Sequence, residues 1–417
     1  MLGGLFAKLV EQGTLTVVWP NGRTSVYGAG GRRATIRIRG RWTPWIIGLW
    51  PDPAFGEAYM DGRLTVEEGT ITDVLEILVS NLGMRRTPWS MTLARNVRRY
   101  FRWIAQFNPA PRARKNVAHH YDLSGELYDL FLDADRQYSC AYFGEPKMDL
   151  EAAQAAKKRH IAAKLKLDRP GLTVLDIGSG WGGLGLELAS ESGAKVTGVT
   201  LSTEQLALSN SRAAAAGLAD RCRFEFKDYR HVQGTFDRIV SVGMFEHVGV
   251  NHYDTFFRKV RDLLAPDGVA LLHTIGRIDR PGCTNAWIAK YIFPGGYAPA
   301  LSEVMRSVER CGLYATDIEV LRLHYAETLK EWRLRFLKNR AKAAALYDER
   351  FCRMWEFYLA GSEMTFRYDR MVVYQIQLAK QVETLPMIRD YMVDTERALR
   401  ASAERNGQNG VIGALRV

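Results

Sequence analysis

The fold of this chain is decided by the stretch Val174–Gly183, which reads VLDIGSGWGG. An apolar run containing Asp176 leads into three alternate glycines, Gly178, Gly180 and Gly182, and a helical pattern follows. Glycines at such a point let the backbone turn tightly and approach a nucleotide-like ligand closely. The stretch therefore predicts a buried strand, a ligand-binding turn and a helix, in that order.

Downstream, short apolar runs alternate with helical patterns from Leu172 onwards. The runs are LTVLDI, AKVTGVT, CRFEF, FDRIVSVG and GVALLHTIG, and helices are predicted at 183–192, 203–216 and 252–264. Near-continuous hydrophobicity is typical of strands buried on both faces of a mainly parallel sheet. The chain is thus predicted to be α/β, with a Rossmann-like, doubly wound sheet. Further helices and a late strand, MVVYQIQLAK, are predicted after it.

The glycine turn has two interpretations. Gly178, Gly180 and Gly183 also satisfy the GxGxxG spacing of dinucleotide-binding dehydrogenases. Such enzymes usually hold the ribose with an acid at the end of the second strand, and the sequence there is GVTLSTEQ, with neutral groups. An acid two residues before the first glycine is typical of class I S-adenosylmethionine-dependent methyltransferases, which the sequence favours. The predicted cofactor-binding residues are Asp176, Gly178, Ser179, Gly180, Gly182, Thr200, Ser202, Gln205, Asp228 for an exocyclic amine and Tyr229 for an adenine face.

The first hundred residues have a different pattern. Apolar residues at helical spacing begin at Leu2, and TLTVVW and RATIRIRG then alternate like strands between Asn-Gly and Gly-Gly turns. They predict a small α+β N-terminal domain, to which we assign lipid or membrane binding. The predicted boundaries are 1–105 for this domain, 106–115 for a linker, 116–390 for the methyltransferase domain and 391–417 for a C-terminal tail with little periodicity.

The formal net charge is +11, and its distribution is uneven. Residues 77–121, here named the cationic segment, contain no acid, and aromatic residues interleave with its bases. The bases are Arg85, Arg86, Arg95, Arg98, Arg99, Arg102, Arg112, Arg114 and Lys115. This composition suits an interfacial helix on an anionic membrane, and an ordinary solvated linker helix is the alternative. A nucleic-acid-modifying methyltransferase is a further alternative, but no nucleic-acid-binding module is recognised, so no nucleic acid partner is predicted.

The five cysteines are widely spread and form no CxxC pair, so neither a disulfide framework nor a zinc site is predicted. The N-terminus lacks a secretory signal pattern, and no apolar run approaches about 18 residues. We expect a cytoplasmic protein, peripherally associated with the inner face of the membrane, that binds no metal. His119, His120, His247 and His252 are assigned packing or structural roles.

Several ordered motifs over roughly residues 105–380 resemble the cyclopropane-fatty-acyl-phospholipid synthases, in the mycolic acid cyclopropane synthase-like methyltransferase family. They are YSCAYF at 138–143, VLDIGSGWGG, TLSTEQ, SVGMFEHVG at 241–249, LLHTIG at 271–276 and YIFPGGYAP at 291–299. The resemblance implies S-adenosyl-L-methionine as cofactor, held also by Tyr138 and Ser139, and a homodimer. It further implies catalytic residues that bind bicarbonate: Cys140, Glu246, His273 and Tyr325, together with the backbone of Ile275. A serine in DLSGELY, where many members carry glycine, is a minor departure.

The reaction implied by this resemblance is methylene transfer from S-adenosylmethionine to the cis double bond of an unsaturated phospholipid acyl chain. An alkene is a weak nucleophile and its attack leaves a carbocation, so the site must exclude water, and closing the ring requires a base. A fatty-acyl C-methyltransferase that leaves a methyl or methylidene branch is the closest alternative, and a membrane-binding protein with an inactive fold is a third. Taken singly, Cys140, Glu246, His273 and Tyr325 also have ordinary structural interpretations.

Overall fold

A computed structural model of the chain describes residues 1–84 and 124–408. The predicted linker, His119, His120 and all of the cationic segment after residue 84 lie outside the described residues. The first part forms a three-stranded antiparallel sheet in the order β1-β2-β3, covered by helices. Its elements are α1 (Leu2–Leu9), β1 (Gln12–Val18), β2 (Thr24–Ile38), α2 (Thr43–Leu49), α3 (Pro51–Met60), β3 (Leu64–Glu68) and α4 (Ile71–Met84).

The second part is built on a seven-stranded sheet in the order β6-β5-β4-β7-β8-β10-β9. Its strands are β4 (Thr173–Ile177), β5 (Lys195–Thr200), β6 (Cys222–Phe226), β7 (Phe236–Val242), β8 (Leu264–Arg277), β9 (Tyr314–Val320) and β10 (Met371–Ala379). Strands β4 to β8 run parallel, and β10 pairs antiparallel with both β8 and β9. The predicted doubly wound, mainly parallel sheet is confirmed.

Helices cover both faces of this sheet. They are α5 (Gly125–Asp129), α6 (Leu150–Lys164), α7 (Gly183–Ser192), α8 (Thr203–Ala215), α9 (Tyr253–Leu263), α10 (Ala286–Tyr291), α11 (Leu301–Arg310), α12 (His324–Lys338), α13 (Arg340–Leu346), α14 (Glu349–Tyr368) and α15 (Asp390–Gln408). The three helices predicted between the parallel strands are present as α7, α8 and α9. Among the helices of the described residues, none combines the length and apolar character needed to cross a bilayer.

The sheet has a switch point at β4. From β4 the chain moves outward to β5 and β6, then returns to the other side of β4 as β7 and continues to β8. Open α/β sheets bind ligands at the carboxyl ends of the strands where the winding direction changes. The turn after β4 and the segment after β7 therefore face one another at the expected ligand-binding edge.

The two sheets are joined mainly through α14 and α10. Ala360 and Met364 of α14 belong to the same apolar cluster as the N-terminal sheet and α4. Asp52 accepts hydrogen bonds from the backbone amides of Ala286 and Trp287 at the start of α10, at 2.9 and 3.0 Å. The N-terminal part thus caps a helix of the second part and shares its core.

Helices α6 and α15 and strand β9 were not anticipated from the sequence. The predicted tail instead contains α15, which packs on α6. His160 Nδ1 lies 2.9 Å from Glu396 Oε2, and Arg400 pairs with Glu145 at 2.6 Å. The hydrophobic pattern of the sequence did not reveal α15 because polar and charged contacts, rather than a continuous apolar stripe, hold this helix in place.

Candidate active site

A smaller cavity of about 110 Å³ lies at the switch point of the large sheet. Six of the predicted cofactor-binding residues line it: Gly178, Gly180, Thr200, Gln205, Asp228 and Tyr229. They follow β4, β5 and β6, whose carboxyl ends meet at this edge. The parallel register of the three strands is therefore what brings these residues together.

The glycine turn serves two purposes. A Cβ at Gly180 would meet no heavy atom within 4 Å, and the residue has a φ of +54° in the lining of the smaller cavity. A Cβ at Gly182 would lie 2.8 Å from Phe224 Cζ and from Ser209 Cβ. Gly180 thus keeps space open for a ligand, whereas Gly182 allows α7 to pack closely on its neighbours.

Polar atoms beside this turn lack partners. Asp176 Oδ2 and Ser179 Oγ are buried and have no hydrogen-bond partner among the described residues. Burial raises the pKa of Asp176 to about 7, an effect that the charge of Lys157 opposes. Buried polar groups are normally satisfied, so unpartnered ones at a ligand-binding edge favour a bound molecule with hydroxyl or amine donors.

The other predicted residues support the loops. Ser202 caps α8 by accepting a hydrogen bond from the backbone amide of Gln205 at 3.3 Å, and the Thr200 hydroxyl donates to Gln205 Oε1 at 2.9 Å. Asp228 was predicted to face an exocyclic amine. In the structure its carboxylate accepts from the Arg230 guanidinium at 2.8 and 2.6 Å, so it holds its loop as well as lining the smaller cavity.

A larger cavity of about 1210 Å³ lies next to the smaller one. Every predicted bicarbonate-binding residue lines it: Cys140, Glu246, His273, Ile275 and Tyr325. Most of the remaining lining is apolar or aromatic, drawn from α3, α4, α10 and α14. Side chains from four separate segments of sequence therefore converge on one apolar chamber.

Glu246 provides an acid in this chamber. Its Oε1 accepts a hydrogen bond from the backbone amide of Ile275 at 2.6 Å, while its Oε2 is buried with no partner among the described residues. Burial raises the pKa of Glu246 to about 7, although the Ile275 amide acts in the opposite direction. At neutral pH this carboxyl group can therefore donate or accept a proton.

His273 and Cys140 are electrically neutral neighbours of this acid in the cavity lining. Burial lowers the pKa of His273 to about 3, and its Nδ1 lies 3.1 Å from Gln375 Nε2. Burial raises the pKa of Cys140 well above its usual value, so Cys140 is a thiol, and its Sγ donates to Ala141 O at 3.3 Å. Neither residue is poised as a charged nucleophile, which suits binding of a small polar group in a dry site.

Tyr138 and Ser139, predicted to hold the cofactor, line the larger cavity. The Tyr138 ring stacks on Trp332, and its hydroxyl lies 2.8 Å from that of Tyr358 in α14. Ser139 Oγ accepts a hydrogen bond from Lys157 Nζ at 2.8 Å. These contacts hold the segment that contains Tyr138 and Ser139 in place from both sides.

Lys157 and Gln375 were missed by the sequence analysis. Lys157 is buried on α6, where desolvation lowers its pKa to about 8, and its charge affects the pKa of both Asp176 and His273. A lysine in a helical pattern is usually solvated, so no sequence signal marked it. Gln375 lay within the predicted late strand, but its contact with His273 depends on the antiparallel register of β10 against β8.

The two cavities share a wall. Gly243 and His247 line both of them, directly after β7. Burial lowers the pKa of His247 to about 4, and its ring meets Phe293 edge-on with centroids 6.0 Å apart. A ligand in the smaller cavity and another in the larger cavity would therefore be neighbours across this wall.

Comparison with known proteins identifies the family of this chain. A model of the family described as mycolic acid cyclopropane synthetase matches residues 109–376, which is more than half of the chain. The chain belongs to this family. It is 39% identical over 339 residues to tuberculostearic acid methyltransferase UfaA1 of Mycobacterium tuberculosis, covering 78% of both chains. It is 41% identical over 264 residues to cyclopropane-fatty-acyl-phospholipid synthase of Escherichia coli K12, covering 63% of this chain and 67% of that one.

The chain is also similar to solved structures of this family. Mycolic acid cyclopropane synthase CmaA1, complexed with SAH and CTAB, is 35% identical and has a TM-score of 0.61, covering 65% of this chain and 99% of that one. The class I methyltransferase fold is confirmed, and the chain is an S-adenosylmethionine-dependent methyltransferase of a lipid-modifying family. The space beside Gly180 and the unpartnered Asp176 and Ser179 atoms fit that cofactor.

Proposed function

We propose that this methyltransferase transfers a methylene unit from S-adenosylmethionine to the cis double bond of unsaturated acyl chains in phospholipids, forming a cyclopropane ring. The observation that carries the proposal is the convergence of Cys140, Glu246, His273 and Tyr325 on one apolar cavity that shares a wall with the smaller cavity. The Escherichia coli relative named for this activity supports the same assignment.

The larger cavity suits an acyl chain and its reaction. When bound, the cofactor supplies an electrophilic methyl group. The aromatic and aliphatic lining would align the chain and keep water away from the carbocation that the reacting alkene leaves on it. Exclusion of water from the cavity matters because water would trap that cation before the ring closes.

The polar corner of the larger cavity fits a small oxyanion. Cys140, Glu246, His273, Tyr325 and the backbone of Ile275 are proposed to hold bicarbonate, and the unpartnered Glu246 Oε2 fits a protonated oxygen of such an ion. Bicarbonate there would supply the base that ring closure requires. Neutral His273 and the Cys140 thiol would orient it without adding a further charge to the site.

The proposal is tested by incubating the protein with S-adenosylmethionine and vesicles of cis-unsaturated phospholipid, then measuring acyl mass. We expect a gain of one CH2 unit per double bond consumed. Cys140→Ser should lower turnover by about tenfold or more, whereas Cys311→Ser is the matched control because Cys311 is equally buried but lines neither cavity. No mass gain across several head groups would exclude the activity.

A second candidate is a fatty-acyl C-methyltransferase, favoured by the UfaA1 relative, whose match extends over 78% of this chain. Methylidene and cyclopropane products have equal mass, since both arise from one cation by loss of one proton from the transferred methyl group. The cyclopropane forms when that carbon closes onto the cationic carbon, whereas the methylidene forms when a 1,2-hydride shift comes first. Ozonolysis separates them, because a methylidene branch yields a ketone whereas a cyclopropane survives. A ketone as the principal product would replace the first proposal with the second.

The remaining expectations belong to the same proposal. Residues 1–105 would serve as a lipid-binding domain and residues 116–390 as the catalytic domain, acting as a homodimer at the inner face of an anionic membrane. The net charge of +11 supports attraction to such a surface. Sedimentation of the protein with anionic and with neutral vesicles, at low and high salt, measures that attraction.

A further inference from the structure

Helix α2 turns its apolar side chains away from the protein. Only Thr43 and Ile47 of the helix are buried, on one side. The opposite side, with the residues flanking the helix, is large and apolar. Its exposed fractions are Trp42 64%, Trp45 55%, Ile46 42%, Leu49 62% and Trp50 64%. These five residues are here named the tryptophan face. Contiguous exposed apolar surface of this kind marks a docking site.

The tryptophan face continues into the larger cavity. Leu49 and Trp50 are both exposed at the surface and part of the cavity lining, followed by Pro51, Asp52 and Pro53. Asp52 is anchored to the start of α10, so this corner is fixed to the catalytic part. An apolar path therefore runs from the outer surface into the chamber that holds Glu246 and His273.

The positive charge around the tryptophan face indicates an anionic partner. From Gln12 to Pro51 the sequence contains six arginines and no acid; of these, Arg32 and Arg37 form ion pairs with acids of α4 and β3. Arg39 and Arg41 are exposed just before α2, and the Arg41 guanidinium lies over the Trp42 ring, 5.3 Å from its centroid. Tryptophan beside arginine is the combination that favours the boundary between acyl chains and anionic head groups.

We propose that the tryptophan face docks on the surface of an anionic phospholipid bilayer and that acyl chains enter the larger cavity beside Leu49 and Trp50. This inference rests on the proposed function, since it names the surface through which that site reaches its substrate. Docking here places the cavity mouth at the acyl-chain level. An acyl tail then crosses from bilayer to cavity without passing through water, which lowers the cost of leaving the membrane.

The test uses the full chain with Trp42→Ser, Trp45→Ser and Ile46→Ser combined, none of which lines either cavity. Binding is measured by co-sedimentation with vesicles of unsaturated phosphatidylglycerol and phosphatidylcholine. We expect the dissociation constant to rise at least about tenfold, because partial burial of two indoles and an isoleucine is lost. Thermal unfolding and calorimetric binding of S-adenosylhomocysteine should match the unaltered protein.

The matched control carries Val382→Ser, Met387→Ser and Ile388→Ser, which remove three apolar side chains of greater exposure, 70%, 101% and 68%, between β10 and α15. It should bind vesicles normally. A second variant, Arg39→Gln with Arg41→Gln, should lose about fivefold per arginine on anionic vesicles and little on neutral ones. It provides the same test if the serine variant fails to fold.

Four results would overturn the inference. It fails if the serine variant sediments with vesicles as the unaltered protein does, and it fails if the control variant loses binding equally. A shift from dimer to monomer with unchanged vesicle binding would show that the face covers a second copy of the chain. Transfer to vesicle lipids at full rate by the serine variant would reject docking while the proposed function stands. Vesicle binding that depends on the tryptophan face, with no CH2 gain, would reject the function and leave docking intact.

Discussion

The smaller cavity is assembled from residues at the ends of four neighbouring strands of one sheet, β4 to β7, within about seventy positions of the sequence, from Ile177 to Val248. The larger cavity takes its polar groups from Cys140, Glu246, His273 and Tyr325, and its walls from helices of both parts of the chain. Each has a nearby buried carboxyl group whose pKa burial raises to about 7: Asp176 lies just before the glycine turn of the smaller cavity, and Glu246 lines the larger cavity. Similar electrostatics are thus reached by a local route in one cavity and by convergence of distant segments in the other.

Because of this difference, cofactor binding and catalytic turnover can be altered independently. Parallel register alone assembles the smaller cavity, so changes there should alter cofactor affinity. The larger cavity depends on how α12, α14 and the N-terminal part dock on the sheet, so changes there should alter turnover. The predictions below separate the two, in order of decreasing effect.

The largest effect is expected from Glu246→Gln. The variant keeps the shape and can still accept from the Ile275 amide, but it cannot exchange a proton. We expect turnover on unsaturated phospholipid to fall about a thousandfold, within the range for loss of acid–base catalysis, because the group proposed to hold the bicarbonate base can no longer exchange a proton with it. Calorimetric binding of S-adenosylhomocysteine should stay within about twofold, as the residue lines only the larger cavity. Weakened cofactor binding with normal turnover would reverse the assignment of the two cavities.

The next effect concerns stability and pH. Since burial raises the pKa of Glu246 from 4.5 to about 7, the folded protein holds a proton that the unfolded chain releases, and stability falls as pH rises through that interval. Glu246→Gln removes this loss. Its unfolding free energy relative to wild type should grow from near zero below pH 4.5 to at most about 3 kcal/mol above pH 7, measured by urea titration.

Two companion variants sharpen this test. Asp176→Asn, in β4 just before the glycine turn, should show the same sign, because burial also raises the pKa of Asp176 to about 7. Glu319→Gln should show the opposite sign. Burial opposes the change there, but the hydrogen bond from His160 and the charge of Lys164 lower the pKa of Glu319 to about 2, so its stabilisation is present above pH 4.5 and lost as pH falls towards 2. A flat difference for Glu246→Gln would show that its carboxyl is solvated.

The same contrast explains what sequence could predict. The glycine turn, the buried strands and the helices α7 to α9 follow from spacing and hydrophobic runs, so the fold was predicted, and six of the predicted cofactor-binding residues line the smaller cavity. Cys140 and Tyr325 were placed with Glu246 and His273 only through family resemblance, because no local pattern encodes contact between distant segments. Lys157 escaped prediction since its burial depends on Gln137 and Ser139 accepting its hydrogen bonds, at 2.6 and 2.8 Å.

The third effect lies in the smaller cavity. Gly180→Val places a branched side chain where the backbone has a φ of +54° and where the added Cβ projects into open space. The strain and the lost volume should weaken S-adenosylhomocysteine binding about thirtyfold by calorimetry. Gly217→Val is the control, since Gly217 also has a positive φ, +63°, and open space but lies outside both cavities. Equal loss of binding in both variants would attribute the effect to backbone strain alone.

The smallest effect tests the convergent assembly of the larger cavity itself. The hydroxyls of Tyr138 and Tyr358 lie 2.8 Å apart, although the two residues are 220 positions apart in sequence. In the smaller cavity, by contrast, the hydrogen bond of 2.9 Å between Thr200 and Gln205 joins residues five positions apart. In a cycle of Tyr138→Phe, Tyr358→Phe and the double variant, urea unfolding should give a coupling free energy of about 1 kcal/mol, since each single change removes the hydrogen bond between the two hydroxyls. This hydrogen bond joins Tyr138 to α14. The single variants should therefore also raise KM for lipid two- to threefold, on the order expected for a lost orienting contact. Coupling near zero would mean that packing of Tyr138 on Trp332, rather than the hydroxyl pair, holds this wall together.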